Sequence, residues 1–243
     1  VDLSGKTALV TGGAHRVGRA VALALTEHGC DLLLHYHRSA EAAAATAEQA
    51  RQAGVRVALA AADLSQAEGV WSLYQQVDEQ FGGLDILVNS AAIFEPVSLL
   101  RASAEDWQRT MDLNLRGAAF CLQQAARRMH ARGGGAIVNI SDTAAHRPFK
   151  RYPLHSISKA GVEMLTRAAA LELAPTIRVN AVVPGPVLKP QGMAEDRWLA
   201  IIARGPLRRP GHPKDVAQAV LFLLQNDYIT GESLRVDGGD LLV

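Results

Sequence analysis

The run Lys6-Thr7-Ala8-Leu9-Val10-Thr11-Gly12-Gly13-Ala14-His15-Arg16-Val17-Gly18 decides the fold class of this chain. Lys6 to Thr11 is a short apolar run ending in a glycine turn, a helical pattern follows from Arg16 to His28, and a second apolar run spans Cys30 to Tyr36. A strand, a helix and a strand joined by short turns are the unit that lays parallel strands side by side under a crossover helix. The alternation continues outward. Helices are expected near Ala40 to Ala53, Gln66 to Phe81, Trp107 to Met129, His155 to Leu173 and Pro213 to Leu224. Strands are expected over Arg56 to Ala61, Ile86 to Asn89, Ala136 to Ser141, Arg178 to Val183 and Ser233 to Val236. The fold class is therefore α/β, a doubly wound parallel sheet with helices on both faces.

With 243 residues, 49% of them hydrophobic, and a net charge of +1, the chain can bury a large core and reads as a single domain over residues 1–243. It contains neither an internal repeat nor a dividing linker. The near-neutral charge and scattered Lys and Arg argue against a nucleic-acid partner, and the cluster Arg204 to Arg209 lacks interleaved aromatics. Cys30 and Cys121 have neither metal-ligand spacing nor the density of a disulfide scaffold, so they read as buried thiols in a reducing compartment, and no metal site is expected. No apolar run approaches the roughly 20 residues of a membrane span. Val1-Asp2-Leu3-Ser4 does not open a signal peptide. The expectation is a cytoplasmic protein without a membrane partner. The Pro- and Gly-rich stretch Gly185 to Gly211 follows a central strand and reads as a substrate-covering loop, with an ordinary surface loop as the alternative.

Thr11 to Gly18 joins the first strand to the first helix, where backbone amides at a helix N-terminus can hold a pyrophosphate. Its spacing is not G-x-G-x-x-G, so the second strand decides the ligand. In Rossmann-type folds an acidic residue about 20 residues beyond the turn binds the ribose of NAD, whereas an Arg accommodates the 2′-phosphate of NADP. Here the strand ends His35-Tyr36-His37-Arg38-Ser39, without a carboxylate. A cation and a hydroxyl offer charge-assisted hydrogen bonds to a phosphate, so NADPH/NADP is the expected cofactor. The alternative is that Arg38 and Ser39 only open a polar turn.

A second informative stretch is Ser141-Asp142 followed by Tyr152-Pro153-Leu154-His155-Ser156-Ile157-Ser158-Lys159. Lys159 stands four residues after His155, so on a helix both rise from one face and can reach a common ligand.

Thr11 to Gly18, Asp63-Leu64, Asn89-Ser90-Ala91, Asn114, the Asp142/His155/Lys159 set, Pro184-Gly185, Ile229-Thr230-Gly231 and Val236-Asp237-Gly238-Gly239 together resemble a short-chain dehydrogenase/reductase over essentially the whole chain. Gly13 to Arg16, His35 to Ala40 and Phe94-Glu95-Pro96 are similar to segments of the pteridine reductases, which reduce pterins and folates with NADPH. The resemblance assigns cofactor contacts to Gly12, Arg16, Val17, Gly18, Tyr36, His37, Arg38, Ser39, Asp63, Leu64, Asn89, Ser90, Ala91, Lys159, Pro184 and Gly185. It gives Lys159 the nicotinamide ribose, Asn114 a helix and a water leading to Lys159, and Phe94 one side of a sandwich in which the nicotinamide and a pterin ring stack. Arg16 would reach both cofactor phosphate and pterin, and Tyr152 would line the pocket. Asp142 stands thirteen residues before His155, where most of the family has Ser and pteridine reductases have Asp. Homotetramers are common in the family and are expected here.

Two positions depart from the pattern. Val187 replaces an expected serine, and His155 replaces the catalytic tyrosine. Ketone reduction develops alkoxide charge and depends strongly on that phenol, whereas an imine nitrogen demands less of its proton donor. The leading expectation is thus reduction of C=N bonds in dihydropterins or dihydrofolate, with Asp142 as proton donor and His155 as an acid or a hydrogen-bond spacer. The alternatives are a carbonyl or 3-oxoacyl reductase using His155 in place of tyrosine, and an NADP-binding protein with little catalysis.

Overall fold

The computed structural model describes residues 1–190 and 192–243, so Gln191, within the expected loop, lies outside the described residues. Among the described residues, seven strands alternate with eight helices. β1 (Thr7–Thr11), α1 (Arg16–Glu27), β2 (Asp31–Tyr36), α2 (Ala40–Arg51), β3 (Val57–Ala61), α3 (Ala67–Phe81) and β4 (Ile86–Asn89) form the first half. α4 (Ala104–Met111), α5 (Ala118–Ala131), β5 (Gly135–Ile140), α6 (Pro153–Leu173), β6 (Ile177–Pro184), α7 (Glu195–Arg204), α8 (Pro213–Gln225) and β7 (Ser233–Val236) complete it. All pairings are parallel, in the order β3-β2-β1-β4-β5-β6-β7. The order reverses between β1 and β4, which opens a crevice beyond their C-terminal ends, the usual ligand position in such sheets.

The period of two along each strand divides the core into two layers. Ala8 and Val10 of β1 face α1 and α8 together with Leu32, Leu34, Val88 and Val220. Leu9 points the other way, into Leu33, Leu87, Tyr74, Met129 and Val179, under α3, α5 and α6. Both faces of the central strands are covered, which is why their sequences are continuous apolar runs rather than alternating ones.

Two expectations about elements are corrected. The expected helix from Trp107 to Met129 starts earlier, at Ala104, where Ser103 and Asp106 form a reciprocal capping box, and it is interrupted by a π-helical turn at Asp112–Gly117. The stretch from Gly185 to Gly211 is not wholly irregular, because it contains α7. Trp198 and Ile202, four residues apart, bury one face of that helix, and Glu195 and Asp196 suit its positive end.

Close approach at the glycine turn fixes where α1 begins. A Cβ at Gly18 would lie 2.2 Å from the Gly12 carbonyl oxygen, a distance that forces the backbone to move. Gly18→Ala is expected to cost about 1–3 kcal/mol, as overpacking of a tight site does, and to weaken nucleotide binding. Denaturant unfolding measures the first effect, and an unchanged midpoint would contradict it.

Candidate active site

The glycine turn is braced from three directions. Gly12 has φ +65, and a Cβ on it would lie 3.0 Å from Ala91 Cα. The hydroxyl of Thr11 accepts hydrogen bonds from the Ser90 and Ala91 amides at 2.9 and 3.1 Å, tying the end of β1 to the segment after β4. Asn89, at the end of β4, donates to the Ala118 carbonyl and to Asn139 Oδ1. From β2, the Nδ1 atom of buried His35 accepts from the Gly12 amide at 3.1 Å. Nε2 therefore carries the hydrogen, which it donates to the Ala62 carbonyl at 3.1 Å. Burial lowers the imidazole pKa to about 4, so the ring keeps this neutral form. His35 was visible in the sequence as part of a strand end, but nothing there marked it as a brace.

α1 starts at Arg16 with no side chain capping it and no acidic residue in its first turn. Its first amides and the positive end of its dipole face the crevice, an arrangement that fits a pyrophosphate. Val17 packs partly buried on the core, and buried Gly18 lies one residue on. At the end of β2, Tyr36 and Ser39 are half-buried while His37 and Arg38 are exposed. No carboxylate stands between residues 36 and 39, which suits a phosphate-bearing ribose. Asp63 lies 3.9 Å from His37 and accepts from the Ser65 amide and hydroxyl. Burial pushes its carboxyl up, but these hydrogen bonds and the nearby His37 and Arg38 outweigh that and hold it below the usual range. Leu64 is buried beside it, and Pro184 closes β6. Gly185 passes so near β7 that a Cβ would meet Asp237 Cα at 2.7 Å. Arg16 has φ +52 and donates to the Leu188 and Lys189 carbonyls at 3.1 and 3.3 Å, so its guanidinium fastens the post-β6 loop to the glycine turn.

The second half of the crevice is built on α6. Pro153 occupies its first turn, since the missing N–H costs nothing there, and leaves Tyr152 just outside the helix. His155 and Lys159 follow on the buried face. The Lys159 ammonium donates to the Ile140 carbonyl at 2.7 Å. Burial lowers its pKa to about 8 against the upward pull of Asp142. Asp142 caps a short 3₁₀ turn, Thr143–Ala145, by accepting from the Ala144 amide at 2.7 Å. Its other oxygen lies 3.6 Å from His155 Nε2. His155 Nδ1 lies 3.2 Å from the Ile93 carbonyl. Asn114, in the π-turn, grips the same residue, accepting from Ile93 N at 2.8 Å and donating to Ile93 O at 3.0 Å and to Ser158 Oγ at 3.1 Å. Phe94 stacks on Tyr152 with centroids 4.0 Å apart and planes 8° from parallel, and meets His155 edge-on at 4.8 Å. One face of Phe94 is thus covered, so a ligand ring has the opposite face available or must displace Tyr152.

Asp142, His155, Lys159, Asn114, Phe94 and Tyr152 therefore meet at one end of the crevice, and Gly12 to Gly18 with Tyr36 to Ser39 line the other. Glu163 has no role in the sequence reading. It is buried, and it accepts from Ser141 Oγ at 3.1 Å and pairs with His146 Nε2 at 2.9 Å, holding the Asp142 turn on α6. Its place four residues after Lys159, on the same helix face, was the available signal.

A family model described as enoyl-(acyl carrier protein) reductase matches residues 12–240. A short-chain type dehydrogenase/reductase of Picea abies is 35% identical over 253 residues, covering 98% of this chain and 93% of that protein. The chain belongs to the short-chain dehydrogenase/reductase family. Among its relatives, a 3-oxoacyl-[acyl-carrier-protein] reductase of Staphylococcus aureus is 36% identical over 239 residues, covering 96% of this chain and 97% of that protein. A solved short-chain dehydrogenase/reductase from Serratia marcescens superposes with a TM-score of 0.93 at 34% identity, covering 99% of each chain. A dehydrogenase/reductase structure from Sinorhizobium meliloti gives 0.92 at 35% identity, covering 98% and 97%. Short-chain reductases of this kind use NAD(P)H. Among the described residues no helix is long and apolar enough to cross a membrane.

The buried Lys159 gives a pH signature. Its folded pKa of about 8 lies below the ordinary value of 10.5, so the folded state holds fewer protons than the unfolded chain between those values. The burial penalty is fully present below about pH 8 and is relieved as pH rises toward 10.5. It amounts to about 3 kcal/mol at about 1.4 kcal/mol per pKa unit. Lys159→Met should abolish the rise in stability between pH 8 and 10 that the parent protein gains from this group. Urea unfolding at both pH values measures it, and identical pH slopes would contradict it.

Proposed function

We propose that this short-chain reductase uses NADPH to reduce a flat, conjugated C=N bond, as in dihydropterins or dihydrofolate. One observation carries the reading: the proton-donating position of the site holds an imidazole beside a carboxyl group, His155 and Asp142 at 3.6 Å, and not a phenol. A pterin N5 is basic enough to take its proton from such a pair, while an alkoxide makes a stronger demand. The exposed face of Phe94 offers a flat ring a stacking surface. When bound, the nucleotide supplies hydride. The chain's own residues hold it at the uncapped start of α1 and at Arg38 and Ser39, place Lys159 at the ribose, and deliver the proton from the Asp142 and His155 side.

The named relatives support a second reading. The Staphylococcus aureus protein is called a 3-oxoacyl-[acyl-carrier-protein] reductase, and no relative reported above carries a pterin name. On that reading His155 takes over the tyrosine's work on a carbonyl substrate. Initial rates of NADPH oxidation with dihydrobiopterin, dihydrofolate and an acetoacetyl thioester separate the two. The first reading expects kcat/KM at least about tenfold higher for the pterin substrates, the reverse order would establish the second, and each rate should fall when NADH replaces NADPH.

Self-association is part of the proposal. Phe120 on α5 and Ile157, Met164 and Leu171 on α6 are exposed, the last three at seven-residue intervals along one helix stripe. A second copy covering that stripe would account for it, and a tetramer is the expected mass in light scattering. A monomer at micromolar concentration would contradict it.

A further inference from the structure

We infer that His155 is the residue that hands the proton to the substrate, that Asp142 reloads it, and that Asn114 is a positioning residue that fixes the imidazole through Ile93. The inference rests on the reductase reading and holds for either substrate class.

The hydrogen-bond geometry assigns the ring's protons. A carbonyl can only accept, so the contact between His155 Nδ1 and Ile93 O places a hydrogen on Nδ1. That carbonyl cannot turn away, because Asn114 holds both the N–H and the C=O of Ile93. Nε2 is then the free position. It is buried, it has no hydrogen-bond partner among the described residues, and a carboxylate oxygen of Asp142 faces it at 3.6 Å. An imidazole serving only as a spacer would leave a buried polar atom unpaired at a cost in free energy, whereas one that shuttles a proton exchanges it with Asp142 on one side and a substrate atom on the other. Two bare acceptors facing one another repel, and a proton on the line between Nε2 and Asp142 relieves this.

The transfer balances simply. The Nε2–H bond breaks and its electron pair stays on the ring. A new N–H or O–H bond forms with the pair that hydride addition, from the reduced nicotinamide nucleotide, pushes onto the substrate heteroatom. The ring is left in its neutral Nδ1–H form, already matched to Ile93, and needs no flip. Asp142, whose side chain is 28% exposed, then passes a solvent proton to Nε2. Asp142 from the turn after β5 and the edge of Phe94 stand against His155, with Lys159 one turn along α6 and Tyr152 stacked on Phe94. Ile93 and Phe94 present no charge to the ring.

Three measurements test this. In ¹⁵N-histidine-labelled protein with NADP bound, the neutral His155 ring should be the Nδ1–H tautomer at alkaline pH, and the Nε2–H tautomer would overturn the wiring. In turnover with NADPH and either dihydrobiopterin or an acetoacetyl thioester, His155→Gln should lower kcat by about 100-fold or more, the scale of a lost general acid. Binding of NADPH, read by its fluorescence, should stay within about threefold, as expected of a group that acts on the proton alone. Asp142→Asn, which has no acid to reload the ring, should lower kcat by about tenfold or more with KM nearly unchanged. A His155→Gln enzyme within about threefold of the parent, or an unchanged kcat in Asp142→Asn, would overturn the proposal. If the parent protein turned over no pterin and no thioester, the reductase reading would fail, and the tautomer would decide the wiring alone.

Discussion

The double grip of Asn114 on Ile93 is the constraint on which the site depends. One side-chain amide satisfies both backbone groups of a residue that lies outside any strand, and its second N–H reaches Ser158 on α6. An uninterrupted α-helix would present a different side chain at that place, and the π-turn at Asp112–Gly117 admits the extra residue that turns Asn114 inward. The segment carrying Phe94, the helix carrying His155 and Lys159, and the helix before α5 are thereby locked to one another. The end of the crevice made of three separate chain segments becomes one rigid object.

The same economy governs the nucleotide end. Several polar groups in the crevice are buried and held by partners: Thr11 by two amides, His35 between Gly12 and Ala62, Lys159 by Ile140. Such groups do not reorganise when a charged ligand arrives, which is the electrostatic advantage of a preorganised site. The atom that breaks the pattern is His155 Nε2. Its lack of a partner among the described residues, beside satisfied neighbours, is what makes it informative.

Much of this was legible in the sequence, for physical reasons. Buried parallel strands must be apolar on both faces, so β1, β2, β4 and β6 announced themselves as unbroken runs, and the glycine turn marked the crossover. The spacing of His155 and Lys159 placed both on one helix face. α7 was missed because Pro and Gly on either side of it outweighed two apolar residues four apart. The π-turn was missed because helical periodicity continues through it almost unchanged. His35, Glu163 and the Ile93 carbonyl were beyond sequence reasoning. Their roles arise from hydrogen bonds between segments distant in the chain, and one of them belongs to the backbone, which no side-chain pattern encodes. The resemblance implies that Arg16 contacts the ligand, and in the structure the post-β6 loop holds its guanidinium.

The central claim is that a proton-bearing imidazole stands where the family's tyrosine would be, fed by a carboxyl group. Neutron diffraction from a deuterated crystal with NADP bound tests it most directly, because it locates hydrogen itself. The account predicts one deuteron on His155 Nδ1 pointing at the Ile93 carbonyl and a second on the line between Nε2 and Asp142. A bare Nδ1, with the only ring deuteron on Nε2 and turned away from Asp142, would contradict it.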